Sequence, residues 1–363
     1  MYRFSKNTID GLVTWYRKNR RDLPWRKDRD PYGIWLSEIM LQQTRVEAVI
    51  SYYERFRKQY PDIKSLAEAE EEVLLRLWEG LGYYSRVRNM KKCAQVLMEK
   101  YGGMLPCGKE ELQKLPGIGS YTAGAISAIA CGHPEAAIDG NVLRVLSRFF
   151  AIRDDIKDPK LRKQLEECIT TFYQENGIQD PEYVSDLTQG LMELGALVCL
   201  PNGKPLCQEC PFFLECRACN EELTDVIPFR SRNRDRKIID RTLLVIRCQD
   251  RFLLHKRPFG GLLGGMYEFI GIERKMDEKE ICVCLKDMGI EVFRPEALPS
   301  SRHVFSHLEW QMQAYEIQTD QLPDFNQDEY ILADREQLQS LAVPSALRVY
   351  LDYYGLRKRG GKK

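Results

Sequence analysis

The stretch Leu115-Pro116-Gly117-Ile118-Gly119-Ser120-Tyr121-Thr122-Ala123-Gly124, followed by Ile138-Asp139-Gly140-Asn141-Val142-Leu143-Arg144-Val145-Leu146, decides the fold. It predicts a short helix over Glu110 to Lys114, a Gly-x-Gly turn, and a second helix that starts at once. Gly117 and Gly119 carry no Cβ, so another chain can approach their N–H groups closely. N–H groups at the start of a helix form a site for a phosphate oxygen. A hairpin of this kind holds a nucleic-acid backbone without reading its bases. Asp139 then sets a carboxylate just ahead of the next helix. Beside a phosphate-gripping hairpin that charge repels the ligand, so binding alone does not account for it. A positive charge developing there during a reaction does.

A chain of 363 residues has room for two or three domains. At 44% apolar and 29% charged it is rich enough to pack and too ordinary to be disordered. Residues 1–150 hold 24 Lys/Arg against 18 Asp/Glu, a weak basic bias in the part that carries the hairpin. No apolar run reaches membrane-span length, and Met1-Tyr2-Arg3-Phe4-Ser5-Lys6 lacks the apolar core of a signal peptide. The expectation is a cytoplasmic protein (bacterial cytosol or nucleoid), monomeric, with no membrane partner. In that compartment the 12 cysteines are expected to be core thiols or metal ligands rather than disulfides.

Residues 1–220 repeat apolar positions every three to four residues almost throughout, as in Val73 to Trp78 and Leu187 to Val198, with breaks at Pro31, Pro61, Pro106, Pro134 and Pro181. This predicts an all-α domain of short-linked helices. The charged run Arg230-Ser231-Arg232-Asn233-Arg234-Asp235-Arg236-Lys237 marks an interdomain linker over 221–240. Thr242 to Ile246 and Phe252 to His255 read as strands around a turn at Gln249-Asp250-Arg251, 279–289 as a helix, and 303–318 again as strand-like. Residues 241–356 are therefore a second, α+β domain, and 357–363 a basic tail.

Two features carry further chemistry. Cys199, Cys207, Cys210 and Cys216, at intervals of seven, two and five residues in a proline-studded loop, suit either a tetrahedral zinc or a [4Fe–4S] cluster. Glu38 interrupts the apolar helical segment Ile34-Trp35-Leu36-Ser37-Glu38-Ile39-Met40-Leu41-Gln42-Gln43-Thr44. Burial disfavours its ionised form, and a glutamic acid protonated near neutral pH is what a general acid needs. One raised acid and one ionised carboxylate, Glu38 and Asp139, are the equipment for cleaving a glycosidic bond through an oxocarbenium-like state.

In this order Glu38 with its segment, the Leu115–Gly119 hairpin, Asp139-Gly140-Asn141 and the cysteine loop resemble adenine DNA glycosylases of the MutY type. That group belongs to the helix-hairpin-helix superfamily that includes endonuclease III. Leu23-Pro24-Trp25-Arg26, Trp78-Glu79-Gly80-Leu81-Gly82-Tyr83-Tyr84-Ser85-Arg86 and His303-Val304-Phe305-Ser306-His307 resemble MutY rather than endonuclease III. The resemblance covers nearly the whole chain. It implies a helix-hairpin-helix glycosylase domain over 1–220 with one [4Fe–4S] cluster on the four cysteines, and a Nudix-like domain over 241–356. It also implies removal of adenine opposite 8-oxoguanine or guanine in duplex DNA.

Carried onto this sequence, the resemblance gives each residue a role. Glu38 protonates N7 of the extruded adenine, Asp139 meets the sugar cation, and Asn141 orients Asp139. Tyr121 stands where lyase-competent relatives carry a Schiff-base lysine, so strand cleavage is not expected and Tyr121 is expected to hydrogen-bond the carboxyls. Arg26 and Gln189 fall where adenine edges are read. Gln43, Thr44 and Leu81 line the 8-oxoguanine side, Tyr83 wedges into the base stack, and Phe305, Ser306 and His307 read 8-oxoguanine. In the second domain Lys286-Asp287 stands where a working Nudix helix needs paired glutamates, so no pyrophosphatase activity is expected. Two departures stand out: seven residues rather than six between the first two cysteines, and Met266-Tyr267-Glu268-Phe269-Ile270 in place of Trp-Glu-Phe-Pro.

Overall fold

The computed structural model describes residues 2–231, 235–259, 261–291 and 294–356; the basic tail 357–363 and positions 232–234 of the linker lie outside them. The chain falls into two compact units, Met1–Ala69 with Ser85–Arg232, and Glu70–Tyr84 with Asn233–Lys363. Among the described residues no helix is long and apolar enough to cross a membrane.

In the helical unit, Pro31 and Pro181 are helix starts, and Pro159 is a third. Asp30, Asp158 and Asp180 each precede the proline and accept N–H bonds from the first turn. The carboxylate satisfies donors that the helix itself leaves open, and proline at the first position gives up no hydrogen bond. The helices Lys6–Asn19, Gly140–Phe149, Pro159–Glu175 and Pro181–Leu197 close around a core that includes Leu12, Leu146, Leu165 and Leu194. The helix Pro31–Leu41 is buried on every side, from Tyr32 through Met40. A helix surrounded in this way offers Glu38 no solvent face.

The hairpin begins with a single helical turn, Lys109–Leu112, shorter and earlier than expected over Glu110 to Lys114. The helix Ser120–Ala125 follows and runs on into a π-helical turn, Ile126–Ala130. The two glycines serve different ends. Gly117 has φ +76°, and a Cβ there would come 2.6 Å from Asn89 Cβ. Its bareness thus serves the protein's own fold. A Cβ on Gly119 would meet nothing within 4 Å, so only this glycine faces open space.

Cys107 and Cys131 are joined in a disulfide, with Cα atoms 5.8 Å apart. This corrects the expectation that no cysteine is so used. The two lie 24 residues apart in sequence, and only the return of the hairpin brings them within bridging range.

The second unit is built on one mixed sheet. Its strands are β1 (Lys237–Cys248), β2 (Arg251–Lys256), β3 (Tyr267–Glu268), β4 (Ile270–Ile272), β5 (Glu296–Val304), β6 (Leu308–Thr319) and β7 (Tyr330–Ala333). The order is β3-β2-β1-β6-β5, with β4 paired to β1 and β7 to β2. β1 and β6 run parallel from Lys237 opposite Leu308 to Cys248 opposite Thr319. Alternation along β1 sends Leu243 and Val245 into one core and Leu244 and Ile246 into another. The helix Glu278–Asp287 lies over the second of these through Ile281 and Leu285.

The division between the units falls within the expected 221–240 linker. The 221–240 linker is held at each end. Ile227 is buried, its carbonyl accepts from Arg148 at 2.8 Å, and Phe229 accepts from the Ile156 N–H, while β1 already starts at Lys237. Residues 70–84 group with the sheet, not with the helices. Glu72 accepts from Lys256 at 2.7 Å and from Tyr267 at 3.3 Å. A helical period in the sequence does not say which core a short helix joins.

Candidate active site

Glu38, Asp139, Tyr121, Asn141, Arg26, Gln189, Gln43, Thr44 and Gly119 all line one cleft of the helical unit, about 1370 Å³ in volume. That is ample for a nucleoside.

Glu38 is 7% exposed, and its Oε2 accepts a hydrogen bond from the Tyr121 hydroxyl. Burial raises its pKa to about 7. The Tyr121 donor and the Arg26 charge pull it down, and the Asp139 charge pushes it up. The phenol bonds Glu38 alone and feels Asp139 only through its charge, so the expectation that Tyr121 binds the carboxyls holds for one of the two.

Asp139 caps the helix Gly140–Phe149. Its Oδ1 accepts from the Val142 N–H at 2.7 Å and its Oδ2 from Asn141 Nδ2 at 2.9 Å. Burial pushes its pKa up, and these two donors oppose the rise. Asn141 is itself held, because its Oδ1 accepts from Arg144 Nη2 at 2.9 Å. Arg144 also donates to the carbonyls of Gly195 (2.8 Å) and Cys199 (2.9 Å). Gly195 leaves the room this needs, since a Cβ there would stand 2.5 Å from Asn141 Cβ.

Glu193, which the sequence reading missed, lies at the heart of the Arg26 environment. Arg26 grips it with two bonds of 2.9 Å, and Arg21 adds its backbone N–H and two guanidinium bonds of 2.8–3.0 Å. Burial works against the charge, but the two guanidiniums outweigh it and hold the Glu193 pKa at about 2. Glu193 breaks an apolar helical run as Glu38 does, and it follows Gln189 by four residues, on the same helix face. The pattern that singled out Glu38 was available for it. Gln189 itself donates to Ser185 Oγ at 3.1 Å.

At the end of the Glu38 helix, the buried Arg86 donates to the carbonyls of Ile39, Met40 and Gln42. Next to this cap Gln43 takes φ +59°. Leu81, Tyr83 and the Phe305–His307 segment belong to the second unit. Leu81 is buried, while Tyr83 is 44% exposed with φ +48°. The β5–β6 turn is closed by the Phe305 N–H on the Leu308 carbonyl at 2.8 Å. Phe305 packs edge-to-face against Trp310 with ring centres 4.8 Å apart, while Ser306 and His307 are exposed at the tip, 3.3 Å from each other.

Cys199, Cys207, Cys210 and Cys216 line a common cavity walled by Val145, Phe149, Leu194, Val198 and Phe212, and Cys219 joins them there. Among the described residues no three His, Cys, Asp or Glu side chains are arranged to grip a single ion. Arg148, 5% exposed, ends its hydrogen bonds on the carbonyls of Ile227 and Leu200 and on Cys199 Sγ at 3.3 Å.

Residues 36–170 match the family described as "HhH-GPD superfamily base excision DNA repair protein", and residues 241–353 match the NUDIX domain family. A solved structure titled as a thermostable thymine-DNA glycosylase is 28% identical, with a TM-score of 0.52, over 59% of this chain and 95% of that one. Fold and cleft together define a DNA glycosylase of base excision repair, followed by a Nudix-like α/β unit. The chain is 34% identical to the adenine DNA glycosylase of Mus musculus, covering 86% of this chain and 70% of that protein. It is also 34% identical to the enzyme of the same name from Buchnera aphidicola, covering 82% of each. The chain belongs to the adenine DNA glycosylase family.

Proposed function

We propose that this protein hydrolyses the N-glycosidic bond of adenine mispaired with 8-oxoguanine or guanine in duplex DNA and leaves an abasic site without cutting the strand. The observation that carries the reading is the pair of buried carboxyls in one cleft, Glu38 with the Tyr121 donor and Asp139 with two donors of its own. Glu38 is buried, bonded to a phenol, and has a pKa of about 7. Asp139 is braced for the anionic form by the Val142 N–H and the Asn141 amide.

Protonated Glu38 delivers its proton to N7 of the extruded adenine and makes the base a neutral leaving group. Asp139 meets the positive charge left on the sugar, by ion pairing or by a transient bond to its carbon. Water then attacks, with the Glu38 carboxylate taking the proton. Tyr121 stands in the place of the Schiff-base lysine and has no amine to form one, so strand cleavage by β-elimination is not expected. Arg26, Gln189 and Glu193 face the base edge. The N–H row at Gly119 to Tyr121 holds a phosphate at the helix start. On the opposite strand Gln43, Thr44, Leu81 and the Tyr83 wedge fill and read the stack, and Phe305, Ser306 and His307 report 8-oxoguanine. The protein works as a monomer on chromosomal DNA in the cytosol or nucleoid.

Cys199, Cys207, Cys210 and Cys216 would hold a [4Fe–4S] cluster. The fit lies in the donor set: four thiols on one apolar cavity, with the buried Arg148 guanidinium against Cys199. A buried cation needs an anion beside it, and four thiolates around a cluster provide one. Bound there, the cluster ties the loop to the helix Gly140–Phe149 that Asp139 caps and takes no part in the bond cleavage.

Free adenine should appear from a duplex with adenine opposite 8-oxoguanine, and the strand should break only after alkali. Release of another base from a mispair panel, with adenine retained, would sink the proposal. A brown absorption band near about 400 nm separates iron–sulfur from zinc.

A further inference from the structure

Cys107 and Cys131 flank the hairpin. Cys107 ends the loop before the helical turn Lys109–Leu112, and Cys131 follows the π-helical turn Ile126–Ala130. The segment between them holds Gly117, Gly119 and Tyr121. Two weaker ties close the same gap: Ser127 Oγ donates to the Cys107 carbonyl at 2.7 Å, and Lys109 pairs with Glu135 at 3.3 Å. A helix of one turn does not hold itself; Lys109–Leu112 is anchored by the buried Leu112, and these ties add to that anchor. Both bridged cysteines are half-buried, within reach of small thiols, whereas Cys93 and Cys168 are buried in cores. In a reducing compartment a bridge of this kind is a transient one.

We infer that Cys107 and Cys131 form a reversible thiol–disulfide modification site whose oxidation locks the hairpin and tightens its hold on the DNA backbone. The second half of the inference rests on the reading that the N–H row at Gly119 holds phosphate. The oxidant is a small disulfide of the glutathione class. One cysteine thiolate attacks it, which forms a mixed disulfide and expels one glutathione thiolate. The other cysteine thiolate then displaces the second glutathione. Two protein thiols become one S–S bond, one glutathione disulfide becomes two thiols, and the two protons lost by the protein end on them. An excess of reduced glutathione runs the exchange backwards.

The test uses the full-length protein equilibrated at several glutathione ratios, alkylated, and mapped by non-reducing peptide mass spectrometry. A linked Cys107–Cys131 peptide should dominate at oxidising ratios, and two alkylated cysteines at reducing ones. The bridged form should unfold roughly 5–10 °C higher. It should also bind undamaged duplex at least about threefold more tightly at low salt, where phosphate contacts dominate. A Cys107→Ser, Cys131→Ser double variant should match the reduced protein and ignore glutathione. Two alkylated cysteines at every ratio would overturn the site. A bridge without any change in affinity would overturn its effect on DNA, and a response that survives in the double variant assigns it to another group and also overturns it. Gly119→Val has room to fold and fills the space in front of the N–H row. Unchanged duplex binding by that variant would remove the phosphate reading and the second half of the inference with it, while the mass map still judges the bridge.

Discussion

The hydroxyl of Tyr121 donates to Oε2 of Glu38, so the proposed general acid is held by a donor that favours its conjugate base. Burial alone would carry the Glu38 pKa above its value of about 7, and Tyr121 pulls it back into the neutral range. As the proposed acid Glu38 acts only when protonated, so single-turnover base release should fall as pH rises through about 7. Tyr121→Phe removes the downward pull and should move that alkaline limb to higher pH. A limb that stays in place or moves down would detach the phenol from the acid's titration.

Glu38→Gln should reduce adenine release by about 10³-fold or more while duplex binding persists. The same change should stabilise the fold at alkaline pH. A pKa raised from 4.5 to about 7 favours folding at low pH, and this contribution is lost as pH rises through 7. Glutamine never ionises, so the variant should gain roughly 1–3 kcal/mol over the parent at pH 8 and little at pH 5. Urea titrations at the two pH values measure it.

Asp139→Asn keeps a helix-capping side chain but loses the charge proposed to meet the sugar cation. Release should fall by about 10²- to 10³-fold, with the melting temperature unchanged or slightly higher because burial opposes the charge. A large drop in stability would mean that Asp139 serves the fold before the reaction.

Glu193→Gln should be costly in another way. It leaves the Arg21 and Arg26 guanidiniums without their shared anion, a loss of about 3–5 kcal/mol for a buried pair. With the folded pKa lowered to about 2, the pair stabilises at neutral pH. The contribution fades as pH falls below the ordinary carboxylate range and through about 2. The variant's deficit should therefore shrink in acid, as measured by unfolding from pH 7 to 3.

Gly195→Ala tests the brace behind Asp139. Its Cβ would push on Asn141 from 2.5 Å, displacing the amide that orients Asp139. A stability loss of about 1–3 kcal/mol should come with slower base release and unchanged DNA affinity. For the second unit, replacing Ser306 and His307 with alanine should cost about tenfold in the preference for 8-oxoguanine over guanine opposite adenine. The exposed tip can lose both side chains without disturbing the Phe305–Trp310 edge-to-face contact.

Features built from neighbours in sequence were legible without coordinates. The Asp139 cap needs an acceptor three residues ahead of an open N–H, and the Gly117–Gly119 turn needs bare positions at fixed spacing. A helix apolar on all faces announced that Glu38 is buried. What stayed hidden depends on segments far apart in the chain. The pattern is the same at Glu38 and Glu193, an acid inside an apolar helix. One stays near pH 7 and the other drops to about 2, because Arg21 and Arg26 arrive at Glu193 from about 170 residues away. The Cys107–Cys131 bridge, the purpose of Gly117 opposite Asn89, and the attachment of residues 70–84 to the sheet were equally out of reach. Hydrogen-bond spacing along one helix is written into local order. The charge a buried group carries, and the partner a thiol finds, are settled only when distant segments exclude water and bring their own charges and atoms to it.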